Sequence, residues 1–155
     1  MYMKKQDYHI SITVDANTHK AFTSITNITK WWTENLEGSS QKLNDEFTVR
    51  FGSTWKTFKI TEFVPDKKLT LLVTDCNLPW NEDKKEWKGT KINFDLTEKS
   101  NGTQINFTHI GLVPEAACFD ACSNAWSEYI RGSLLNLINT GKGQPARKED
   151  KQLAK

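Results

Sequence analysis

The chain has little that would mark a secreted, membrane-spanning or nucleic-acid-binding protein. Its 155 residues include three cysteines, an odd number that cannot close into a complete disulfide framework. No apolar run approaches the roughly 20 residues that a membrane-spanning helix needs, and the residues that follow Lys4 and Lys5 are polar, unlike a secretory signal. The net charge is +2, with both signs mixed along the chain, which is too small a bias to indicate nucleic-acid binding. These absences predict a cytoplasmic protein with no membrane span and no nucleic-acid partner.

Motifs for a metal, a cofactor or a catalytic nucleophile are also missing. The sequence contains no glycine-rich phosphate loop and no nucleophile elbow. Cys118 and Cys122 lie one helical turn apart, but a zinc site would need a second spaced pair, and small thiols pack well under a sheet. We therefore expect no metal, no cofactor and no catalytic residue set.

Aromatic residues and one long amphipathic segment supply the apolar surface that a core needs. Six Trp and eight Phe offset a hydrophobic share of 37%, because aromatic rings bury large areas. Between Pro114 and Gly143, apolar or small residues recur at gaps of three and four, which predicts one face of a helix of roughly 37 Å. Pro114 and Glu115 suit the start of this helix, and Gly141 suits its end. The stripe consists of Cys118, Phe119, Cys122, Ala125, Trp126, Tyr129, Ile130, Ser133, Leu134, Leu137 and Ile138.

Alternation of apolar and polar residues before this helix predicts a sheet. The first strand is expected over residues 8–14, after which Asp15 can cap a helix over 16–26, and a second short helix carries Ile28, Trp31 and Trp32. A polar insertion occupies residues 77–88. The remaining strands are predicted over 47–51, 55–64, 69–73, 90–96 and 103–109.

This order of elements predicts an α+β fold. A curved antiparallel sheet of about six or seven strands would wrap around the long C-terminal helix, which offers the one comparable apolar surface. Two short helices would follow the first strand. We expect a single domain over residues 1–143, and a charged, disordered tail over residues 144–155.

Two segments resemble a known family. The stretch 15–22, together with Lys30-Trp31-Trp32, is similar to the N-terminal signature of START-like (SRPBCC) domains. Their C-terminal helix signature is resembled by Trp126, Tyr129-Ile130, Ser133-Leu134, Leu137-Ile138 and residues 141–145. The nearest branch is that of homologues of a heat-shock chaperone ATPase activator, and the resemblance covers about residues 8–145. It implies the helix-grip fold of birch-pollen-allergen-like proteins, with a cavity between the helix and the concave sheet. Superfamily members bind lipids, hormones or polyketides there, whereas the chaperone-activating members use the fold as a protein-binding surface.

Aromatic residues and one histidine are the candidates for lining such a cavity. His109 is in phase with the inward residues of its strand, so it could bond a ligand or act as a general base, or simply bond backbone or solvent. Trp126 and Tyr129 lie three residues apart on the helix, where they can touch a ligand or pack in the core. The predicted ligand-binding residues are Trp31, Trp32, Phe51, Trp55, Phe107, His109, Trp126 and Tyr129.

Other residues leave alternatives open. Trp31 and Trp32 would point about 100° apart on a helix, so that one enters the core and the other covers the entrance or lies on the surface. Trp80 and Trp87 either anchor the polar insertion, gate the cavity or form a patch for a protein partner. Asp75 is in phase with the apolar residues of its strand, so it either points inward or already lies in a turn.

Three functions are compatible with these patterns. The first is binding of a small hydrophobic molecule, driven mainly by desolvation. The second is a protein-interaction module that acts like a chaperone co-regulator and presents an exposed apolar patch. The third is an acid–base enzyme for a hydrophobic substrate, for which His109, Tyr129 and Asp75 would have to converge. We rank them in this order.

Overall fold

Seven antiparallel strands form one curved sheet in the computed structural model, which describes residues 7–147. The sheet order is β1-β7-β6-β5-β4-β3-β2, so that consecutive strands from β2 to β7 are neighbours and β1 pairs with β7. This order follows from short hairpin connections, as expected. The strands are β1 Tyr8–Val14, β2 Leu36–Gly38, β3 Glu46–Phe51, β4 Thr54–Val64, β5 Lys68–Asn77, β6 Lys91–Lys99 and β7 Gly102–Ile110.

The helices complete the predicted α+β helix-grip architecture, which is confirmed. Two short helices, α1 Thr18–Thr26 and α2 Ile28–Trp31, connect β1 to β2. The long C-terminal helix covers residues 119–140 and is built of three parts. These parts are α3 Phe119–Ser127, a π-helical segment Glu128–Leu134, and α4 Leu135–Thr140. No helix within residues 7–147 has the length and apolar character to cross a membrane.

Both helix starts differ from the prediction. The cap of α1 is Asn17, whose side chain accepts from the backbone N–H of Lys20 at 2.9 Å, whereas Asp15 lies before the cap. The long helix begins at Phe119 and not near Pro114. The reason is Glu86, whose carboxylate accepts from the backbone N–H groups of Ala117 and Cys118 and thereby fixes a turn before the helix. The end at Gly141 is as predicted, with a left-handed φ of 88°.

A bulge in β5 overturns the prediction for Asp75. Thr57 pairs with Asp75 and Phe58 pairs with Val73, so Thr74 is an extra residue and the strand's inward phase shifts by one. Cys76 is therefore fully buried. Asp75 lies within the strand and faces outward, where it forms an ion pair with Lys85 at 3.1 Å. Asp75 thus neither points inward nor lies in a turn.

The prediction that Trp31 and Trp32 separate is also wrong. Both side chains are buried, and their rings stack with centroids 5.5 Å apart. The helix α2 is four residues long and ends at Trp31, so it does not hold the two rings on different faces. Trp31 donates its indole N–H to the carbonyl of Ile25 at 3.0 Å. The pair joins the short helices to the main core.

Residues 144–147, which we name the C-terminal strap, lie against the domain. Ala146 forms a parallel bridge with Thr33, and its N–H donates to the carbonyl of Trp32 at 2.9 Å. The backbone N–H of Gln144 donates to Ser133 Oγ at 2.7 Å. Gly143 permits this approach, because a Cβ there would lie 2.4 Å from the carbonyl oxygen of Lys30. The remainder of the predicted tail, residues 148–155, lies outside the described residues.

Candidate functional site

A cavity of about 680 Å³ lies between the long helix, the ends of β3 and β4, and the strap, and it opens to solvent. Its wall is completed by Trp32, which follows α2, and by Trp80 and Trp87 of the β5–β6 insertion. This volume lies in the range of small-molecule sites in proteins. The lining residues are Trp32, Asn35, Arg50, Phe51, Gly52, Lys56, Trp80, Trp87, Ala121, Cys122, Asn124, Ala125, Trp126, Glu128, Tyr129, Gly132, Ser133, Gln144, Ala146 and Arg147.

The π-helical segment of the long helix forms one side of this cavity. Glu128, Tyr129, Gly132 and Ser133 all belong to that segment and all line the cavity. Apart from the neighbouring backbone of its own helix, a Cβ added to Gly132 would meet no atom within 4 Å, so the absence of a side chain there leaves open space. Short π-helical insertions in α-helices occur frequently at functional sites. The helix is therefore irregular at the point where it borders the cavity.

The apolar wall of the cavity is a connected group of aromatic rings. The Trp126 ring lies 5.1 Å from Trp32 and stacks on Trp87 at 5.8 Å. Phe51 contacts Tyr129, with ring centroids 6.1 Å apart. Such a surface suits an apolar or aromatic molecule, because ring contacts add to the gain from desolvation.

His109 is fully buried behind this wall and does not line the cavity. Its Nδ1 accepts from the indole N–H of Trp126 at 3.1 Å. Because an indole nitrogen can only donate, the imidazole proton is on Nε2, which donates to Thr90 Oγ1 at 2.9 Å. Thr90 donates in turn to the carbonyl of Trp87 at 2.6 Å. Burial, helped by the charge of Lys56, lowers the pKa of His109 to about 3, so the imidazole is neutral and both its nitrogens are bonded.

Lys56 is the unusual charged residue of the site. It is 8% exposed, because the period of β4 turns it inward with Phe58 and Ile60. Its ammonium lies over the rings of Phe51 and Trp87, at 4.8 Å and 4.4 Å from their centroids. Within residues 7–147 it forms no hydrogen bond and no ion pair. Burial lowers its pKa to about 8.

Three buried thiols surround Lys56. Cys122 lines the cavity and accepts from the indole N–H of Trp87 at 3.2 Å. The thiol–thiol hydrogen bond between Cys122 and Cys118 lowers the pKa of Cys122 against the effect of burial, and the Lys56 charge lowers it further. The same thiol–thiol contact, together with burial, raises the pKa of Cys118, and burial raises that of Cys76. Within the described range, no three His, Cys, Asp or Glu side chains are grouped as metal ligands would be.

Two more polar groups of the cavity wall have no hydrogen-bond partner among the described residues. The hydroxyl of Tyr129 and the indole N–H of Trp32 form no hydrogen bond with any residue from 7 to 147. Burial raises the pKa of Tyr129 to about 12, and the neighbouring Glu128 carboxylate acts in the same direction. The hydroxyl is therefore a neutral donor and acceptor that faces an apolar site.

The structure brings half of the predicted ligand-binding residues to the cavity. Trp32, Phe51, Trp126 and Tyr129 line it. The others lie elsewhere: Trp31, Phe107 and His109 are fully buried in the core, and Trp55 is on the outer face of the sheet, with Lys85 Nζ 5.2 Å from its ring.

The acid–base residues suggested by the sequence do not converge. Asp75 faces outward on the sheet, and the two nitrogens of His109 are engaged inside the core. Of the three candidates, Tyr129 alone lines the cavity.

The two insertion tryptophans have different roles. Trp87 is 4% exposed and anchors the insertion to the core. Trp80 is 39% exposed, lies at the rim of the cavity, and donates its indole N–H to Thr54 Oγ1 at 2.9 Å.

The fold and the cavity define this chain as a START-like, helix-grip protein. More narrowly, it belongs to the family described as Activator of Hsp90 ATPase homolog 1-like protein, whose model matches residues 16–138. No curated protein matches the sequence.

Solved structures share the fold. The Aha1 dimer from Colwellia psychrerythraea is 26% identical, with a TM-score of 0.75, over 89% of this chain and 99% of that one. Protein SSP2350 from Staphylococcus saprophyticus is 13% identical, with a TM-score of 0.70, over 92% and 98% of the two chains. Protein MLL2253 from Mesorhizobium loti is 14% identical, with a TM-score of 0.69, over 86% and 96%.

Proposed function

We propose that this protein binds a small, mainly apolar organic molecule in the cavity beneath the π-helical segment. The observation that carries the proposal is the combination of an aromatic wall with polar groups that have no partner in residues 7–147. Ligand sites in proteins have this composition: an apolar lining gives affinity, and a few polar groups fix the orientation. In a closed core such groups would cost free energy, whereas a bound molecule or water can satisfy them.

A neutral fluorescent probe tests this proposal. N-phenyl-naphthylamine brightens in apolar surroundings, and we expect it to bind the protein saturably at one site. In Gly132→Leu the new side chain would occupy the open space beside the helix, so we expect binding to weaken by at least about tenfold. Gly132→Ala is the matched control, because a methyl group meets nothing within 4 Å. Circular dichroism would verify that both variants are folded.

The proposal fails if the probe does not bind to the folded protein. It also fails if Gly132→Leu binds the probe as well as Gly132→Ala does, because the binding site would then lie elsewhere.

Protein interaction is the second candidate, and two comparisons support it. The family is described by the activation of a chaperone ATPase, and the Colwellia psychrerythraea relative is described as a dimer. The large exposed hydrophobic residues of the described region lie on four separate segments: Leu43, Val64, Trp80 and Ile110. Light scattering at micromolar concentration tests self-association. A stoichiometric dimer that is lost in Trp80→Ser and does not bind the probe would favour this candidate over ligand binding.

A further inference from the structure

The ammonium of Lys56 is the strongest feature of the cavity that packing does not explain. A side chain that is 8% exposed carries a formal charge, and it faces two aromatic rings that also line the cavity. Ring faces attract a cation but do not neutralise its charge. Buried charges in proteins are normally paired, because an isolated one costs a great deal of solvation.

Within residues 7–147, no carboxylate pairs with Lys56. From β5 it faces Cys76, and from β7 the neutral imidazole of His109. From the start of the long helix it faces Cys122 in α3 and Cys118, which caps α3. The pKa values of Cys76 and Cys118 are raised, so these two remain thiols, and Cys122 alone is shifted toward the thiolate.

The other charged groups of the cavity lie at its wall. Arg50 is paired with Glu37, at 3.1 Å between Nε and a carboxylate oxygen. Arg147 and Glu128 complete the charged lining. Since Arg50 is already paired, Lys56 is a basic residue of the lining that forms no ion pair within residues 7–147, so the cavity beside it favours negative charge.

We propose that the ligand is an amphipathic organic anion, whose carboxylate or similar acidic group binds the Lys56 ammonium while its apolar body lies against Trp32, Trp126 and Tyr129. This inference rests on the proposed function and names the chemical class of its ligand. An ammonium inside an apolar site bonds an anion strongly, because charge-assisted hydrogen bonds gain strength where water is excluded. The hydroxyl of Tyr129 is a further donor for the same ligand.

A matched pair of probes tests the charge of the ligand separately from its apolar body. N-phenyl-naphthylamine is neutral, and anilinonaphthalene sulfonate carries the same ring system with one negative charge. We expect the wild-type protein to bind the sulfonate more tightly. In Lys56→Met the sulfonate should bind about 20-fold more weakly, as for a lost charge-assisted hydrogen bond, while the neutral probe changes by less than about twofold.

Lys59→Met is the control variant. Lys59 is on the same strand but on its opposite face, so the variant loses the same net charge outside the cavity. We expect it to bind both probes as the wild type does. A similar loss of sulfonate binding in Lys59→Met would show a long-range effect of net charge and would overturn the inference.

A pH titration of the Cys122→Ser protein gives a second readout that leaves Lys56 in place. The substitution removes the thiol that titrates beside Lys56. Cys122 raises the pKa of Lys56 in the wild type, where it is about 8, so in this variant Lys56 loses its proton at a lower pH. As the pH rises through that range, sulfonate affinity should fall while the affinity of the neutral probe stays constant. Equal pH profiles for the two probes would contradict the inference.

The failure of this inference differs from the failure of the proposed function. If neither probe binds, the cavity is not a ligand site. If the neutral probe binds, and the sulfonate binds the wild type no more tightly than Lys56→Met, the cavity binds apolar molecules but does not select anions.

Discussion

The polar atoms on the two sides of the aromatic cluster around Trp126 differ in their hydrogen bonding. On the His109 side, both ring nitrogens and the Thr90 hydroxyl are hydrogen-bonded, and neither residue lines the cavity. On the other side, the Lys56 ammonium and the Tyr129 hydroxyl have no hydrogen-bond partner in the described residues, and both border the cavity. Burial of a titratable group therefore does not by itself indicate function. The partners of the group separate a structural network from a binding site.

The largest expected change in stability comes from the His109 side of the aromatic cluster. His109→Leu removes the acceptor of the Trp126 indole N–H and leaves that donor buried and unpaired. We expect a loss of about 3 kcal/mol in the free energy of unfolding at pH 7, measured by urea denaturation. His9→Leu is the control, because His9 is exposed and its loss should change stability by less than about 0.5 kcal/mol.

The pH dependence of this deficit sharpens the test. The pKa of His109 is lowered to about 3 when folded, against 6.5 ordinarily, so the unfolded chain takes up a proton first as the pH falls. Wild-type stability should thus drop by about 1.4 kcal/mol per pH unit between about pH 6 and 4 through this residue. His109→Leu lacks that drop, so its loss of stability relative to the wild type should become smaller as the pH falls. A deficit that is constant with pH would contradict the account.

On the cavity side of the aromatic cluster, replacing Lys56 should change the free energy of unfolding in the opposite direction. Burial lowers the pKa of Lys56 from 10.5 to about 8, so the folded protein carries a cost of about 3 kcal/mol below pH 8. Two ring contacts offset about 1 kcal/mol of it. Lys56→Met should therefore stabilise the protein by about 2 kcal/mol at pH 7 in urea denaturation.

The stabilisation of Lys56→Met should also depend on pH. The folded pKa is below the unfolded value, so the wild type regains stability as the pH rises from about 8 to 10.5, and the advantage of the variant should disappear there. A variant that is destabilised at pH 7 would show that Lys56 contributes to the fold, and the contrast between the two sides would be lost.

Two tyrosines give the smallest and cleanest comparison. The Tyr8 hydroxyl is hydrogen-bonded to Ser127 Oγ at 2.6 Å, whereas the Tyr129 hydroxyl has no partner within residues 7–147. We expect Tyr8→Phe to cost about 1 kcal/mol and Tyr129→Phe less than about 0.5 kcal/mol, as measured by thermal unfolding. Equal costs would mean that Tyr129 is bonded in solution and is not available to a ligand.

Most of the fold could be predicted, because apolar residues recur at every second position in the strands and at gaps of three and four in the long helix. Residues 8–14 were predicted as the first strand and form β1. The errors arose where distant residues decide the local structure. The start of the long helix depends on Glu86, more than 30 residues earlier, and the orientation of Asp75 depends on a bulge that no local pattern marks.

The site was less predictable, for two different reasons. Lys56 could have been found, because Phe58 and Ile60 set the phase of β4 and place the lysine on the inner face. The strap could not have been found, since it begins the segment 144–155, whose charged and proline-containing sequence is typical of disorder. His109 faces inward as predicted, but its role depends on Trp126 and Thr90, which are distant in sequence.

The six tryptophans of the chain allow the most direct test of the central claim, that a ligand occupies the cavity. Trp32, Trp80, Trp87 and Trp126 line the cavity, whereas Trp55 lies on the outer face of the sheet. In a two-dimensional nitrogen–proton spectrum of isotope-labelled protein, N-phenyl-naphthylamine should shift the indole signals of these four and leave that of Trp55 in place. A shift of Trp55 as large as that of Trp126, or no shift of any indole at saturating probe, would contradict the claim.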